Sequence, residues 1–273
     1  MCRLIAYCGP PIPLENIVIK PSHSLVVQSQ VTEEAKLAVN GDGFGLAWYS
    51  GHDRTALTDV PNSMPALYKE IMPAWANPNL LHICRAVRSG LFLAHVRAST
   101  FGGASYQNCH PFTHGRWSFV HNGQIGGFER LRREMENLLP EDLFQTRLGI
   151  TDSELVFLLL VANGLEMCPE TACRATIDQI VSLHRQKAIR QPLRLTFVLA
   201  DGSRLFACRH SSDNNSPTLY MSNKLDHGGH AFASEPLDGA PAHWSMIDEG
   251  SFVSLDATGK QDVALLSGKL EAA

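Results

Sequence analysis

The second residue of the chain is a cysteine, and its position allows a chemistry that the other cysteines lack. Initiator methionine is normally removed before a small residue, and its removal here would give Cys2 a free α-amine. The unperturbed pKa of an α-amine is about 7.7–8.0, so near neutral pH a sizeable fraction can accept the thiol proton. Nucleophile and base would then belong to one residue. The alternative, which position alone favours, is that Cys2 is a small apolar residue in an edge strand.

Asn122 and Gly123 stand at the end of a hydrophobic segment, 117–121, that is predicted to be a strand. An Asn-Gly pair commonly forms a hairpin turn, but the residues around this pair do not form an obvious second strand. The alternative is that the side-chain amide of Asn122 and the backbone N–H of Gly123 point at one position. Two such donors can stabilise the oxyanion of a tetrahedral acyl intermediate.

Two charged residues stand at the boundaries of predicted elements. Arg97 follows the apolar strand predicted at 91–96. A buried cation there is costly unless it meets an anion, such as a substrate carboxylate, which an arginine can bind with two hydrogen bonds. Asp152 lies in a helix start signal at 151–154, so it is either a helix-start carboxylate or a partner for a substrate ammonium group.

Histidines cluster at two places, beside Cys109 and around Gly228. Neither cluster has a Cys-x-x-Cys or a His-Glu-x-x-His motif, so we expect structural or surface roles for them, with no metal and no cofactor. The glycines between positions 41 and 45 have the wrong spacing for a phosphate-binding loop. We expect a backbone turn near the active site instead.

The composition is that of an ordinary globular protein, with 273 residues, 44% hydrophobic and 18% charged. A net charge of −4 without a run of Lys or Arg gives no reason to expect nucleic acid or a membrane surface as a partner. The longest periodic apolar segment, 155–165, is too short to span a membrane, and the N-terminus does not fit a signal peptide. Seven irregularly spaced cysteines predict reduced thiols and a cytoplasmic location.

The pattern along the chain runs from strands to helices and back to strands. Strands are predicted at 3–8, 91–96 and 117–121, and a Gly-rich turn that leads into a strand is predicted within 38–49. Helices are predicted at 64–75, 80–88, 128–139, from 151 and 169–190. Short strands and turns follow residue 193. This order favours an α+β fold in which two sheets pack face to face beneath helical layers. We expect a single domain over residues 2–255 and a C-terminal tail at 256–273.

These motifs together resemble those of the class II glutamine amidotransferases, which are N-terminal nucleophile (Ntn) hydrolases. The resemblance rests on Cys2 and on the segments 94–100, 119–123, 151–154 and 232–237, in that order. It implies a four-layer αββα sandwich and attack by the Cys2 thiolate on a γ-glutamyl amide, through a γ-glutamyl thioester and without a cofactor.

The resemblance also implies roles for the residues of the motifs. Asn122 and Gly123 would form the oxyanion hole. The substrate-binding residues would be Arg97 for the α-carboxylate, Asp152 for the α-amino group, and His95 and Thr100 for the pocket.

Two departures from the synthase-linked members place the chain nearer the free-standing branch. The segment 39–45 replaces their Arg-Gly-x-Asp turn, and Ala98 replaces a tryptophan. That branch includes the γ-glutamyl amide hydrolase of ergothioneine synthesis and the amidotransferase-like subunit of a glutathione-degrading complex.

The partner that we expect is a small-molecule γ-glutamyl amide, whose amine portion the sequence does not specify. A separate acceptor or synthase subunit that receives ammonia is the alternative to a self-sufficient hydrolase. A catalytically silent subunit that binds a γ-glutamyl ligand or a protein partner is the alternative to an enzyme.

Overall fold

The segment that follows Cys2 is apolar on both faces, so it must be covered on both sides. In the computed structural model, which describes residues 2–34, 39–50, 64–99, 103 and 105–266, this segment is strand β1 (Arg3–Pro13). Leu4 and Ala6 contribute to one apolar core, and Ile5 and Tyr7 contribute to another. The first core lies between two β-sheets, and the second lies between a sheet and helices.

β1 is the middle strand of a seven-stranded antiparallel sheet. The other strands, numbered in chain order, are β2 (Phe44–Trp48), β3 (Ala66–Glu70), β4 (Arg88–Val96), β9 (Tyr220–Ser222), β10 (His230–Ala233) and β11 (Trp244–Met246). The strand order is β11-β9-β10-β1-β4-β2-β3. Arg3 pairs with Val96 in this sheet, so the end of β4 lies beside Cys2.

The second sheet has six antiparallel strands. They are β5 (Phe112–His114), β6 (Trp117–Ile125), β7 (Leu193–Ala200), β8 (Arg204–Ser211), β12 (Ser251–Asp256) and β13 (Gln261–Leu265), in the order β13-β12-β8-β7-β6-β5. Val120 of β6 packs in the core between the sheets, whereas Phe119 packs on the opposite face. β6 is therefore covered on both faces, as β1 is.

Helices cover the outer face of each sheet. Those on the first sheet are α1 (Glu15–Val18), α2 (Leu25–Gln30) and α3 (Pro78–Ala86). Those on the second side are α4 (Phe128–Glu136), α5 (Glu141–Thr146), α6 (Asp152–Ala162) and α7 (Pro169–Gln186). Single 3₁₀ turns occur at Ala74–Ala76, Tyr106–Asn108 and Pro241–His243. The expected four-layer αββα sandwich is confirmed, and no helix in the described ranges has the length and apolar character needed to cross a membrane.

One predicted helix is wrong. The segment 64–75 has helical spacing, but it contains strand β3 and then the 3₁₀ turn at Ala74–Ala76. β3 pairs along its whole length with β2, and the Tyr68 ring lies 5.9 Å from the Phe44 ring. Pairing with a neighbouring strand and packing across it decide the structure of such a short segment more strongly than its own spacing does.

Strands β1, β4 and β6 extend beyond their predicted bounds. The strand predicted at 117–121 continues to Ile125, because Asn122 and Gly123 pair with Thr196 and Leu195 of β7. The Asn-Gly pair therefore lies inside a strand and not in a hairpin turn. Within the segment expected to be a C-terminal tail, β13 pairs with β12 and extends the second sheet.

Candidate active site

A pocket opens where the start of β1, the end of β4 and the C-terminal part of β6 meet. Its lining consists of Cys2, Arg97, Ala98, Ser99, His110, His121, Gly123, Gln124, Thr151, Ser153, Arg194 and Pro217. Three of the residues predicted from the sequence, Cys2, Arg97 and Gly123, thus line one pocket although they stand far apart in the chain.

Cys2 precedes β1, and the alternation of that strand places its side chain on the face that Leu4 presents to the core between the sheets. The Cys2 sulfur lies 3.6 Å from the Ala98 carbonyl oxygen. Burial raises the pKa of the Cys2 thiol, and the Arg97 charge acts in the opposite direction. A thiol with a raised pKa is mostly protonated near neutral pH, so its attack on a carbonyl requires a base.

Asn122 is completely buried, and neither Oδ1 nor Nδ2 of its amide has a hydrogen-bond partner within the described residues. It lies on the same face of β6 as Val120, which is the face turned toward β1. A buried amide without partners loses its hydration without compensation, which costs about 1–3 kcal/mol. An unpaired buried group of this kind calls for an explanation, and a catalytic role is one, since the neighbouring residue Gly123 lines the pocket.

Gly123 is next to this amide, and the position accepts no other residue without movement of the backbone. A Cβ atom there would lie 2.2 Å from the Arg194 carbonyl oxygen and 2.3 Å from Nε2 of His121. The close packing brings the backbone of β6 to the surface of the pocket.

Arg97 is buried, and a glycine-rich turn holds the segment that carries it. Its Nη2 donates to Ser99 Oγ at 2.9 Å. The backbone N–H of Arg97 donates to the Gly43 carbonyl oxygen at 2.8 Å, and Asp42 accepts from the Ser99 N–H at 2.7 Å. The predicted turn near the active site is therefore present, and it positions the residues that follow β4.

Asp152 is the first residue of α6, and its carboxylate connects this helix to the end of β6. Oδ2 accepts from the Ile125 N–H at 2.9 Å, and Oδ1 accepts from the Ser153 N–H at 2.8 Å. The helix itself is capped by Thr151, whose hydroxyl accepts from the Glu154 N–H. Asp152 thus lies beside the pocket, whereas its neighbours Thr151 and Ser153 line it.

His95 is not among the residues that line the pocket. His95 is fully buried behind it, with Nε2 3.1 Å from the His121 carbonyl oxygen and its ring centroid 4.1 Å from that of His110. Burial lowers the pKa of His95 to about 3, so the imidazole is neutral. Thr100 lies outside the described residues, and its role stays a prediction.

His110 and His121 are among the pocket residues that were not predicted as functional. Nδ1 of His121 is 2.9 Å from Ser153 Oγ, while both ring nitrogens of His110 have no partner among the described residues. Burial lowers the pKa of both imidazoles. The sequence signal for His121 was its place beside the Asn-Gly pair. Its role became clear only from the tertiary structure, in which α6 packs against the strand face that carries His121.

Behind Cys2, ionic side chains from three distant segments contact one another. Arg3 donates to the Cys2 carbonyl oxygen at 2.8 Å and forms an ion pair with Glu235. His23 lies 2.6 Å from the second oxygen of the same carboxylate. Burial opposes ionisation of Glu235, but His23 and Arg3 outweigh it and lower the pKa of this carboxyl. The backbone of Cys2 is thereby held from behind.

Within the described ranges, no three His, Cys, Asp or Glu side chains are arranged to hold a metal ion. The chemistry available to the pocket is that of a thiol, two neutral imidazoles, a guanidinium and hydrogen-bond donors. These groups fit acyl transfer from an amide.

The fold and the pocket define a class II glutamine amidotransferase domain of the Ntn hydrolase type. The family described as class-II glutamine amidotransferases matches residues 1–224, and the chain belongs to this family. The resemblance inferred from the motifs is therefore confirmed.

Two relatives named as enzymes match most of the chain. The probable glutamine amidotransferase DUG3 of Saccharomyces cerevisiae is 31% identical over 93% of this chain and 82% of its own length. The gamma-glutamyl-hercynylcysteine sulfoxide hydrolase of Mycolicibacterium smegmatis is 28% identical over 93% of this chain and 96% of its own length. A solved glutamine aminotransferase class-II domain protein from Silicibacter pomeroyi, 32% identical, superimposes with a TM-score of 0.73 over 98% of this chain and all of that one.

Proposed function

We propose that this protein cleaves the γ-amide of glutamine or of a related γ-glutamyl amide through a γ-glutamyl thioester on Cys2. One observation carries the proposal. The Cys2 thiol and Gly123 line the same pocket, and the adjacent buried amide of Asn122 has both polar atoms without a partner among the described residues. Acyl transfer requires a nucleophile with hydrogen-bond donors near it for the oxyanion, and the thiol and the unpaired Asn122 amide could supply them.

The base in this proposal is the α-amine of Cys2 itself, after Met1 has been removed. The raised pKa of the thiol leaves it mostly protonated, and both histidines of the pocket have lowered pKa values. The α-amine, with an ordinary pKa of about 7.7–8.0, is neutral in part near pH 7.5 and accepts the thiol proton as sulfur attacks.

The reaction then proceeds in two halves. In the first, a bond forms between Cys2 sulfur and the γ-carbonyl carbon, the Asn122 amide and the Gly123 N–H bind the oxyanion, and the amine leaves with the proton held by the α-amine. In the second, water attacks the thioester carbonyl and releases glutamate and the free thiol.

The glutamyl end is recognised by charges beside the nucleophile. Arg97 binds the α-carboxylate through its planar guanidinium. Asp152, which accepts two backbone N–H groups through different oxygens, keeps lone pairs for the α-ammonium group. Thr100 completes this end of the pocket in the proposal.

In this proposal the amine end of the substrate lies toward Gln124, Arg194 and Pro217, which line the pocket and have no role at the glutamyl end. We propose a self-sufficient hydrolase whose substrate carries an amine larger than ammonia. The proposal is supported by similarity to a relative named as a gamma-glutamyl-hercynylcysteine sulfoxide hydrolase, along 96% of that relative.

Labelling with a diazoketone analogue of glutamine tests the nucleophile. We expect one adduct at residue 2 of a chain that has lost Met1, located by intact mass and peptide mapping. Cys168 is the matched control, because it is exposed and a hydrogen bond from Thr171 lowers the pKa of its thiol. Adducts on Cys168, or equal labelling of Cys2→Ala protein, would show that the reagent reports general thiol reactivity and would contradict the assignment.

A panel of γ-glutamyl amides tests the reaction. The purified protein should hydrolyse at least one of them with kcat/KM clearly above that for glutamine, and Cys2→Ala should abolish turnover. Slow and equal turnover that rises when a second protein is added would establish a partner-dependent amidotransferase instead. Binding of γ-glutamyl amides without any turnover or labelling would establish a catalytically silent subunit.

A further inference from the structure

A second cavity, with a volume of about 220 Å³, lies at the open edge of the sandwich where β3 faces β5 and α6. Its walls include the apolar side chains of Leu67, Phe112, Leu148, Phe157 and Leu158. The cavity is separate from the catalytic pocket, with which it shares no lining residue. The segment 109–112 lies between them, since His110 lines the first and Phe112 the second.

One cation lines this cavity, the ammonium group of Lys69. The side chain is only 9% exposed. Among the described residues its Nζ contacts aromatic faces instead of an acceptor, at 5.0 Å from the Phe112 ring centroid and 5.8 Å from that of Tyr106. Burial lowers the pKa of Lys69 to about 8, so at neutral pH most of the group still carries its charge.

A carboxylate also lines the cavity, but its charge is already engaged. Both oxygens of Glu154 accept backbone hydrogens, from Leu148 at 2.9 Å and from Gly149 at 2.7 Å. No ion pair joins Glu154 to Lys69 in the described structure, and the carboxylate lies 3.9 Å from Arg147 instead. The charge of Glu154 raises the pKa of Lys69, but burial outweighs it. Within the described ranges Lys69 is therefore a nearly buried cation without an ion-pair partner, which is costly unless an anion meets it.

We propose that this cavity binds a small monocarboxylate with an apolar tail. The carboxylate would meet the Lys69 ammonium group, with the Gln107 amide at the rim as a further donor, and the tail would lie against the apolar wall. A volume of 220 Å³ equals that of roughly seven water molecules. It therefore suits an acid of the size of hexanoate or benzoate. The site does not depend on the function proposed for Cys2.

Calorimetric titration of the purified protein with hexanoate tests the proposal. We expect one saturable site, and binding about 10- to 100-fold weaker in Lys69→Met, because a hydrogen bond to a charged group is lost. Lys69→Arg should retain most of the affinity. Hexanamide, which has nearly the same shape without the charge, should bind the wild-type protein at least about 10-fold more weakly than hexanoate. Lys224→Met, which removes an exposed lysine, is the matched control and should bind hexanoate as the wild type does.

Three results would overturn the proposal. These are absence of saturable hexanoate binding, equal binding to wild type and Lys69→Met, or binding lost in Arg97→Gln but kept in Lys69→Met. The last result would place the carboxylate in the catalytic pocket. Should Lys69→Met fail to fold, a crystal structure of the wild-type protein with hexanoate decides. The carboxylate is then expected within hydrogen-bond distance of the Lys69 Nζ, and any other position contradicts the site.

Discussion

Nη2 of Arg3 lies 2.8 Å from Oε1 of Glu235, and each side chain is only 1% exposed. The same guanidinium donates to the carbonyl oxygen of Cys2. A fully buried ion pair thus connects β1 and the segment after β10 directly behind the proposed nucleophile. Because removal of one partner leaves the other charge buried and uncompensated, this pair is sensitive to substitution.

Glu235→Gln should lower the free energy of unfolding by about 3 kcal/mol or more, because Arg3 then remains buried without its counter-charge. Urea denaturation at pH 7 measures the loss. Glu15→Gln is the control, since it breaks ion pairs with Lys20 and Arg85, whose side chains are 59% and 60% exposed, and should change stability little. Equal effects of the two substitutions would contradict a special role for the buried pair.

The contribution of Glu235 should also depend on pH in a defined direction. Folding lowers the pKa of this carboxyl below its value in the unfolded chain, which is about 4.3. The ionised carboxylate therefore stabilises the fold fully above about pH 4.3, and this stabilisation is lost as pH falls through the lower pKa of the folded protein. The stability difference between wild type and Glu235→Gln should therefore narrow as pH falls below about 4.3. Urea denaturation at several pH values in this range measures the difference in the free energy of unfolding between the two proteins. A difference that stays constant down to the lowest pH at which the protein folds would contradict the proposed pKa shift of Glu235.

Asn122→Ala should separate activity from stability. We expect kcat to fall about 100- to 1000-fold through loss of an oxyanion donor. The free energy of unfolding should change by less than about 1 kcal/mol, because removal of an unpartnered amide offsets the small void left behind. Asn163→Ala is the matched control, since that amide bonds to Thr176 and Gln179. It should cost about 1–2 kcal/mol of stability and leave kcat unchanged. The reverse pattern would assign Asn122 a structural role.

Gly123→Ala should abolish measurable turnover and lower stability together. The new methyl group would overlap the Arg194 carbonyl oxygen, and the backbone of β6 or β7 would have to move. Steady-state kinetics and thermal unfolding follow the two effects. At Gly239 a Cβ would meet nothing within 4 Å, so Gly239→Ala should behave as the wild type does. Wild-type activity in Gly123→Ala protein would show that this backbone position does not contact the reacting group.

The pH profile of kcat/KM should rise through the pKa of an α-amine, about 7.7–8.0, because only the neutral amine accepts the Cys2 thiol proton. Initial rates on the best γ-glutamyl amide at pH 6 to 9 measure this. Protein that retains Met1, prepared with methionine aminopeptidase inhibited, is the control and should be inactive at every pH. Activity in that form would show that another group is the base.

The candidate site was only partly predictable. Cys2, Arg97 and Gly123 were inferred from short motifs, and the structure brings them to one pocket. His110 and His121 were missed, because an isolated histidine beside a cysteine or at a strand end has no pattern of its own. Both line the pocket because β6 and the segment before β5 come together in the fold. The spacing of residues along the chain does not predict that approach.

The sequence by itself determined the features that depend on neighbours a few residues apart. The alternation of β1, the cap that Thr151 provides for α6, and the order of the family motifs are of this kind. Only the tertiary structure decided that Arg3 meets Glu235, that β3 is a strand, and that Lys69 is buried beside aromatic rings. Periodicity and capping are local, whereas burial and partner choice follow from which distant strands pair, and that pairing is a property of the whole packed chain.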